Sequence, residues 1–244
     1  MEKKFIDAHT HVHFSAFEND WREAIKRAHN NGVALITVGT QRDTSRRAVE
    51  VSSQYHFGVY ATVGLHPIHT AKSFHDPYEL GGGDSAKAFT SRGEDFDFDY
   101  YKKLALDPKV VAIGECGLDY YRMEGEKDEL KKKQKEAFIA QMRVAHDVGK
   151  PLMIHCREAF EDLIGIIRSE KNLLAPQSGV IHFFTGKAED AKRLLELGFS
   201  FTFGGVTTFT KDYDEVIREI PLDRLMSETD APYVAPIPYR GKRN

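Results

Sequence analysis

Two histidines near the start of the chain have the spacing of metal ligands. His9 and His11 stand two residues apart in Asp7-Ala-His-Thr-His11, directly after an apolar stretch. Because alternate residues of a β-strand point to the same side, both imidazoles project in one direction. Imidazole nitrogens are common ligands of divalent metals, although a His-x-His pair by itself is a weak signal. The pair therefore predicts half of a metal site that residues elsewhere in the chain complete.

Four further residues with metal-binding side chains follow apolar runs later in the sequence. Glu115 comes after Val-Val-Ala-Ile-Gly, where an unpaired carboxylate would be costly to bury. If these runs are the parallel strands of a barrel, the side chains meet at its carboxyl end, where active sites of such barrels lie. The predicted ligands are His9, His11, Glu115, His155, His182 and Asp230.

The number of predicted ligands points to two metal ions. Four imidazoles and two carboxylates exceed what one tetrahedral ion uses. They suit two ions roughly 4 Å apart that share a bridging carboxylate and a water, and strand order makes Glu115 the bridge. Imidazole ligation favours Zn²⁺ or Mn²⁺ by affinity, whereas phosphodiesterases often use abundant Mg²⁺, so the identity of the ions stays open. We assign His9, His11 and Asp230 to one ion and His155 and His182 to the other.

The elements that would position these residues are short apolar runs separated by amphipathic stretches. The runs are apolar throughout, as strands of a parallel sheet covered on both faces are. Helices are predicted at residues 21–30, 126–148 and 188–197, and a glycine follows each of them within two residues. This alternation predicts an α/β fold, a TIM-type (β/α)8 barrel forming one domain over residues 1–244. Strands are expected at residues 4–8, 34–40, 58–65, 110–114, 151–155, 179–184, 199–203 and 224–227.

Two segments depart from this regular alternation. Residues 71–101 are long for a connection and contain Gly81-Gly-Gly83, so we interpret them as an enlarged loop with short helices near the active-site end. After the eighth strand only residues 231–244 remain, too few for a full covering helix. Either the barrel closes unusually or the chain has a shortened C-terminal end.

Composition excludes several classes of protein. The net charge is only −3, which argues against a protein that coats nucleic acid by bulk electrostatics. No apolar stretch approaches the roughly 20 residues of a membrane span, and the polar N-terminus lacks the apolar region of a secretory signal. We therefore expect a cytoplasmic protein with no membrane partner. Cys116 and Cys156 are expected to be free, buried thiols.

Six sequence motifs surround the strand ends along the chain. They are Asp7-Ala-His-Thr-His11, Gly64-Leu-His-Pro67, Ala112-Ile-Gly-Glu-Cys-Gly-Leu-Asp-Tyr120, His155-Cys-Arg-Glu-Ala159, His182-Phe-Phe-Thr-Gly186 and Glu228-Thr-Asp-Ala-Pro-Tyr233. In this order they resemble the TatD family of metal-dependent deoxyribonucleases. The resemblance implies a TIM-like barrel, two divalent metal ions and hydrolysis of phosphodiester bonds in DNA, with 3′–5′ exonuclease action on single strands or 3′ ends. The ligand pattern of the family falls on the six residues predicted above as ligands.

Residue roles follow for a metal-assisted hydrolysis. Asp230 is expected to orient or deprotonate the attacking water beside the bridging Glu115, so these two are the predicted catalytic residues. His66, which precedes a proline at the end of the third strand, is assigned to a phosphate oxygen. Arg157 is a bidentate phosphate ligand or, alternatively, forms a salt bridge at a helix start. His69 is a further candidate for substrate contact.

Two other functions stay open at this point. An amidohydrolase-type enzyme that cleaves C–N bonds or deaminates a base would also begin with His-x-His and end with an aspartate on strand eight. Many two-metal enzymes of that type bridge their ions with a carboxylated lysine from strand four, where this chain has Glu115. A barrel that binds metal without catalysis and serves as an interaction module is the other alternative. Turnover of phosphodiester substrates distinguishes the three.

Overall fold

The computed structural model describes residues 4–75, 88–121, 123 and 125–244, and at its centre eight parallel strands form a nearly closed barrel. The order of neighbours around the barrel is β1-β2-β3-β6-β7-β8-β9-β10, which confirms the predicted (β/α)8 architecture. A separate hairpin contains β4 and β5. The strands are β1 (Phe5–Thr10), β2 (Val33–Val38), β3 (Val59–Val63), β4 (Lys72–His75), β5 (Phe89–Arg92), β6 (Val110–Asp119), β7 (Leu152–Arg157), β8 (Gly179–Ile181), β9 (Phe199–Phe203) and β10 (Leu225–Ser227).

The two ends of the strand order meet through the segment that follows β10. The backbone N–H of Asp230 donates to the carbonyl of His9 at 2.9 Å, and that of His11 donates to the carbonyl of Ala231 at 2.7 Å. Residues 231–244 form turns without a helix, and the Asn244 amide donates to the carbonyl of Thr229 at 2.8 Å. The segment carrying Asp230 is thus attached to β1.

Helices on the outside of the barrel connect most of the strands. The three predicted helices are confirmed within one residue at each end, as α1, α4 and α6. Helix α4 ends at Gly149, whose φ of 64° is the left-handed conformation that glycine adopts without strain. None of the described helices is long and apolar enough to cross a membrane. The helices are α1 (Trp21–Asn30), α2 (Arg42–Ser52), α3 (Phe98–Ala105), α4 (Lys127–Val148), α5 (Phe160–Ser169), α6 (Ala188–Glu196) and α7 (Asp214–Glu219).

The connection over residues 71–101 differs from its prediction as a loop with short helices. Strands β4 and β5 pair antiparallel there, and α3 is the only helix that begins among the described residues of the segment, 71–75 and 88–101. Each strand has four residues that mix polar and apolar types, which is too short a pattern to distinguish from a loop. Ser91 of β5 contacts the Nδ1 atom of His69 at 3.0 Å, so the hairpin lies beside the end of β3. The three consecutive glycines at residues 81–83 lie outside the described residues.

An apolar layer fills the barrel beneath the carboxyl ends of the strands. Val38, Ala112, Met153 and Val180 pack together there and are buried. Met153 and Val180 stand two residues before His155 and His182, so each apolar residue and the histidine that follows it point to the same side of their strand. This layer forms the floor below the histidines. Outside the strands, residues such as Phe138 of α4 belong to a larger buried core.

A bulge in β6 turns Glu115 towards the barrel interior. Between the pairs Ile113–Leu152 and Cys116–Ile154 the chain advances three residues on β6 and two on β7, so β6 contains one extra residue. Without that residue, Glu115 would point to the side opposite Ala112, which faces inward. Both cysteines are free and buried, as expected.

The bulge requires glycine at residue 114, and a larger residue there should displace the neighbouring Glu115. The residue has a φ of 155°, and a Cβ there would collide with the carbonyl oxygen of Met153. We expect Gly114→Ala to lower the free energy of unfolding by more than about 1 kcal/mol, measured by urea denaturation of metal-free protein. Gly165→Ala in α5 is the matched control, since a Cβ there meets nothing within 4 Å and alanine favours the helix. Wild-type stability of Gly114→Ala would contradict this account of the bulge.

Candidate metal centre

All six predicted ligands lie at the barrel mouth, defined here as the carboxyl end of the eight barrel strands. His9, Glu115 and His155 are within their strands, and His11, His182 and Asp230 follow the strand ends within three residues. His9, His11, Glu115 and His182 are buried, and the other two are half-buried. The structure brings all six into one cluster, as the positions at strand ends predict.

The carboxylate of Glu115 is the centre of this cluster and has two sides. Its Oε2 atom lies 3.4 Å from His9 Nε2 and 3.8 Å from His11 Nε2. Its Oε1 atom lies 2.9 Å from His182 Nε2 and 3.2 Å from His155 Nδ1. The two oxygens therefore face the two groups of histidines that the sequence hypothesis assigns to separate ions.

Asp230 completes the first of these groups. Its Oδ1 atom is 3.6 Å from His9 Nε2 and 3.4 Å from His11 Nε2. The backbone of Asp230 has a φ of 54°, a conformation that few residues other than glycine adopt. The backbone N–H of Thr229 donates to Asp7 Oδ1 at 2.9 Å, and its hydroxyl donates to Asp7 Oδ2 at 2.6 Å. Asp7 thereby fixes the segment that presents Asp230 to the histidines.

Hydrogen bonds orient two of the imidazoles with a lone pair towards the cluster. His11 Nδ1 lies 2.8 Å from the carbonyl of Val38, so this nitrogen carries the proton of a neutral ring. His155 Nε2 lies 2.9 Å from Asp119 Oδ2 and carries the proton for the same reason. His11 Nε2 and His155 Nδ1 then present lone pairs inward. A carboxylate that accepts from the far nitrogen of a histidine is the usual support of a metal ligand.

The residues present fit divalent metal ions. His9 Nε2 and His11 Nε2 approach each other to 3.2 Å, and the lone pair on His11 demands a shared proton or a cation between them. Burial by itself lowers the pKa of His182, but Glu115 and Glu228 raise it well above its usual value. The carboxylates thus attract positive charge at these positions, which a proton or a metal ion supplies. Nitrogen and carboxylate donors in this combination suit divalent transition metals.

Both carboxylates of the cluster are ionised. Burial alone would raise the pKa of Glu115, but His66 and His182 beside it hold the pKa well below its usual range. Burial likewise opposes ionisation of Asp230, and the neighbouring His11 and His9 lower the pKa of that carboxyl. Metal ligands must be deprotonated, so both groups are ready to bind without releasing a proton.

His66 lies in the cluster as a hydrogen-bond donor. Its Nδ1 atom accepts from the backbone N–H of Ile68 at 3.2 Å, so the proton of the neutral ring is on Nε2. That atom lies 3.1 Å from Glu115 Oε1. A protonated nitrogen cannot ligate a metal but can donate to a phosphate oxygen, the role predicted from the sequence. His69 is buried next to it, with Nδ1 contacting Ser91, and its role towards substrate stays a prediction.

Arg157 extends from the last position of β7 and stacks on an aromatic ring. Its guanidinium carbon lies 3.4 Å from the centre of the Tyr121 ring. Among the residues that the structure describes, no carboxylate forms an ion pair with Arg157. Its role as a phosphate ligand stays a prediction.

Two supporting carboxylates escaped the sequence reasoning, Asp7 and Glu228. Glu228 is buried, accepts from the Thr202 hydroxyl at 2.6 Å and from the Phe183 N–H at 2.9 Å, and lies 3.5 Å from His182 Nδ1. Glu228 thus places a carboxylate beside His182, at a longer distance than the 2.9 Å between Asp119 and His155. Both missed residues stand inside motifs that contain a ligand, and a carboxylate next to an apolar strand is a signal that could have indicated them.

Comparison with known proteins agrees with this geometry. Barrel and cluster together define a metal-dependent hydrolase of the (β/α)8 type. The chain belongs to the TatD family, since residues 6–244 match the family model described as TatD related DNase.

Relatives and solved structures cover most of the chain. A Bacillus subtilis protein described as an uncharacterized metal-dependent hydrolase, YabD, is 38% identical over 242 residues, which is 98% of this chain and 84% of that protein. The 3′-5′ ssDNA/RNA exonuclease TatD of Musicola paradisiaca is 33% identical over 229 residues, 91% of this chain and 76% of that protein. The crystal structure of YjjV, a TatD homologue from Escherichia coli, superposes with a TM-score of 0.78 at 29% identity, covering all of this chain and 85% of the other.

Replacement of Asp119, which accepts a hydrogen bond from His155, should lower the affinity of one metal position more than that of the other. In Asp119→Asn the amide can present N–H to His155, which removes the acceptor that fixes the imidazole tautomer. We expect affinity at the His155–His182 position to fall about 10- to 100-fold, measured by competition of Zn²⁺ with a chromophoric chelator. Glu161→Gln is the control, because Glu161 is an exposed carboxylate that pairs with Arg193. Equal affinity of Asp119→Asn and wild type would contradict the role given to Asp119.

Proposed function

We propose that this protein hydrolyses phosphodiester bonds in DNA, removing nucleotides from the 3′ ends of single strands with two divalent metal ions. The observation that carries the proposal is the position of Glu115, whose two oxygens face separate groups of histidines. Membership of the TatD family supports hydrolysis, and the name of the Musicola relative supports a single-stranded substrate. Zn²⁺, Mn²⁺ or Mg²⁺ would be held by the six residues of the cluster. We place the reaction in the cytoplasm, as the sequence predicts.

The metal ions would activate a water and neutralise charge on the phosphate. Asp230 is the group of this chain that can take the proton of that water. Its carboxylate is ionised, is fixed by the Asp7–Thr229 contacts, and is half-buried at the barrel mouth. The proton lost by the water goes to Asp230 as the water oxygen bonds to phosphorus, and the bond from phosphorus to the leaving oxygen breaks.

Two further side chains position the phosphate. His66 directs its Nε2–H into the cluster, where a phosphate oxygen can replace Glu115 as the acceptor. Arg157 projects from β7 on the same side as His155, and its N–H groups can hold two phosphate oxygens. Both donors would stabilise negative charge as it grows on the phosphate.

Cleavage of end-labelled DNA tests the proposal. Metal-stripped protein should leave a 5′-labelled single strand intact, and added Mg²⁺, Mn²⁺ or Zn²⁺ should restore stepwise shortening from the 3′ end. Asp230→Asn should lower kcat about 10²- to 10⁴-fold, since the proton acceptor is lost. Asp223→Asn, which changes an exposed carboxylate before β10, should cleave like wild type. A parallel RNA strand shows which sugar is preferred.

The negative outcomes are equally informative. Full activity of Asp230→Asn with both ions bound would remove this residue from catalysis. If folded, metal-loaded wild type cleaves no nucleic acid under any of the three metals, the proposal is wrong. An enzyme that hydrolyses C–N bonds in small molecules, or a barrel without catalysis, would then take its place.

A further inference from the structure

Arg157 and Tyr121 form a pair at the barrel mouth that the metal cluster does not need. The guanidinium carbon lies 3.4 Å from the centre of the tyrosine ring, which is contact distance. Neither residue contributes a ligand to the cluster. Both side chains are half-buried, so part of the pair stays accessible from the mouth.

The backbone fixes this pair next to the reacting centre. Arg157 stands two residues after His155 on β7, so its side chain projects on the same side about 7 Å further along the strand. The N–H of Tyr121 donates to Asp119 Oδ1 at 2.9 Å, while the other oxygen of Asp119 holds His155. The N–H of Tyr120 donates to the carbonyl of Arg157 at 2.9 Å. One carboxylate therefore holds both the backbone of Tyr121 and the imidazole of His155.

The positive charge of Arg157 also acts on a tyrosine of a second element. Burial raises the pKa of Tyr213, and the positive charge of Arg157 acts against that rise, so Tyr213 lies within electrostatic range of the guanidinium. Tyr213 directly precedes α7 and is half-buried. A flat cation that is stacked on one aromatic ring and has no carboxylate partner among the described residues is suited to an uncharged, flat group joined to an anion.

We propose that Arg157 and Tyr121 form a stacking subsite for the nucleobase of the nucleotide being cleaved. This inference rests on the proposed function and assigns it a substrate class, a single-stranded nucleic acid with a base at the cleaved nucleotide. Guanidinium planes and tyrosine rings are surfaces on which unpaired bases stack, largely independently of sequence. The N–H groups at the edge of Arg157 stay available for the phosphate, while the base stacks on the face of the guanidinium that the Tyr121 ring does not cover. Bases inside a duplex have their faces covered, so the subsite selects single strands and frayed ends.

Removal of the ring at residue 121 tests the subsite. The metal-loaded protein is given two single-stranded DNAs that differ only in the 3′-terminal nucleotide, which has a base in one and an abasic sugar in the other. Tyr121→Leu should lower kcat/KM about tenfold on the first DNA and leave it unchanged on the second. Tyr121→Phe keeps the ring and should behave like wild type. Tyr60→Leu is the matched control, because Lys109 lies over Tyr60 at the opposite end of the barrel.

Binding gives a second readout that is independent of turnover. In the Asp230→Asn background, a 3′-terminal 2-aminopurine should lose fluorescence as it stacks, and adding Tyr121→Leu should abolish that loss. Equal effects of Tyr121→Leu on both DNAs, or unchanged quenching, would overturn the subsite while the proposed function stands. If folded, metal-loaded wild type cleaves neither DNA, the proposed function is itself wrong and the subsite falls with it.

Discussion

A carboxylate buried among histidines is the interaction on which the rest of this structure depends. Glu115 is 3% exposed, and an ionised group at that depth is stable only when opposite charge or hydrogen-bond donors surround it. Four of the histidines within 4 Å of its oxygens come from β1, β7 and the end of β8. These strands lie on different sides of the barrel, and each must place its histidine at the level of Glu115. Closure of the barrel and formation of the site are therefore the same structural requirement.

A second set of polar contacts holds these ligands in their orientations. The carbonyl of Val38 fixes the tautomer of His11, and Asp119 fixes that of His155. Asp7 joins β1 to the segment after β10. The imidazoles are thus oriented without a bound ion. The carboxylates among them favour positive charge at the centre of the cluster. The proposed substrate contacts, Arg157 and Tyr121, lie further out, at the ends of β7 and β6.

Local patterns were sufficient to predict the strand ends and the six side chains that meet at the barrel mouth. His9 and His11 share a side because of their spacing, and the apolar runs before His155 and His182 locate both residues at strand ends. Resemblance to the TatD family gave the same six positions independently. The bulge in β6 was not predictable, since apolar periodicity does not reveal an extra residue and simple alternation would have turned Glu115 outward.

Other features depend on contacts between distant residues. The orientation of each imidazole is set by partners such as Val38 and Asp119, which no spacing in the sequence joins to the histidines. The sequence does not distinguish Asp7 and Glu228 from other acidic residues, because the groups that donate hydrogen bonds to them lie far away along the chain. The hairpin of β4 and β5 forms from two four-residue strands that pair only with each other, so neither has a pattern of its own.

The central proposal is that two metal ions would share Glu115 as a ligand, and the number of ions per chain tests it most directly. Wild type and Glu115→Ala would be loaded with Zn²⁺, dialysed against one buffered free concentration and measured by inductively coupled plasma mass spectrometry. Thermal unfolding would confirm that both are folded. We predict two ions per wild-type chain and fewer than one in the variant, because both positions lose a ligand and their shared negative charge. One ion per wild-type chain, or two retained by Glu115→Ala, would contradict the bridge.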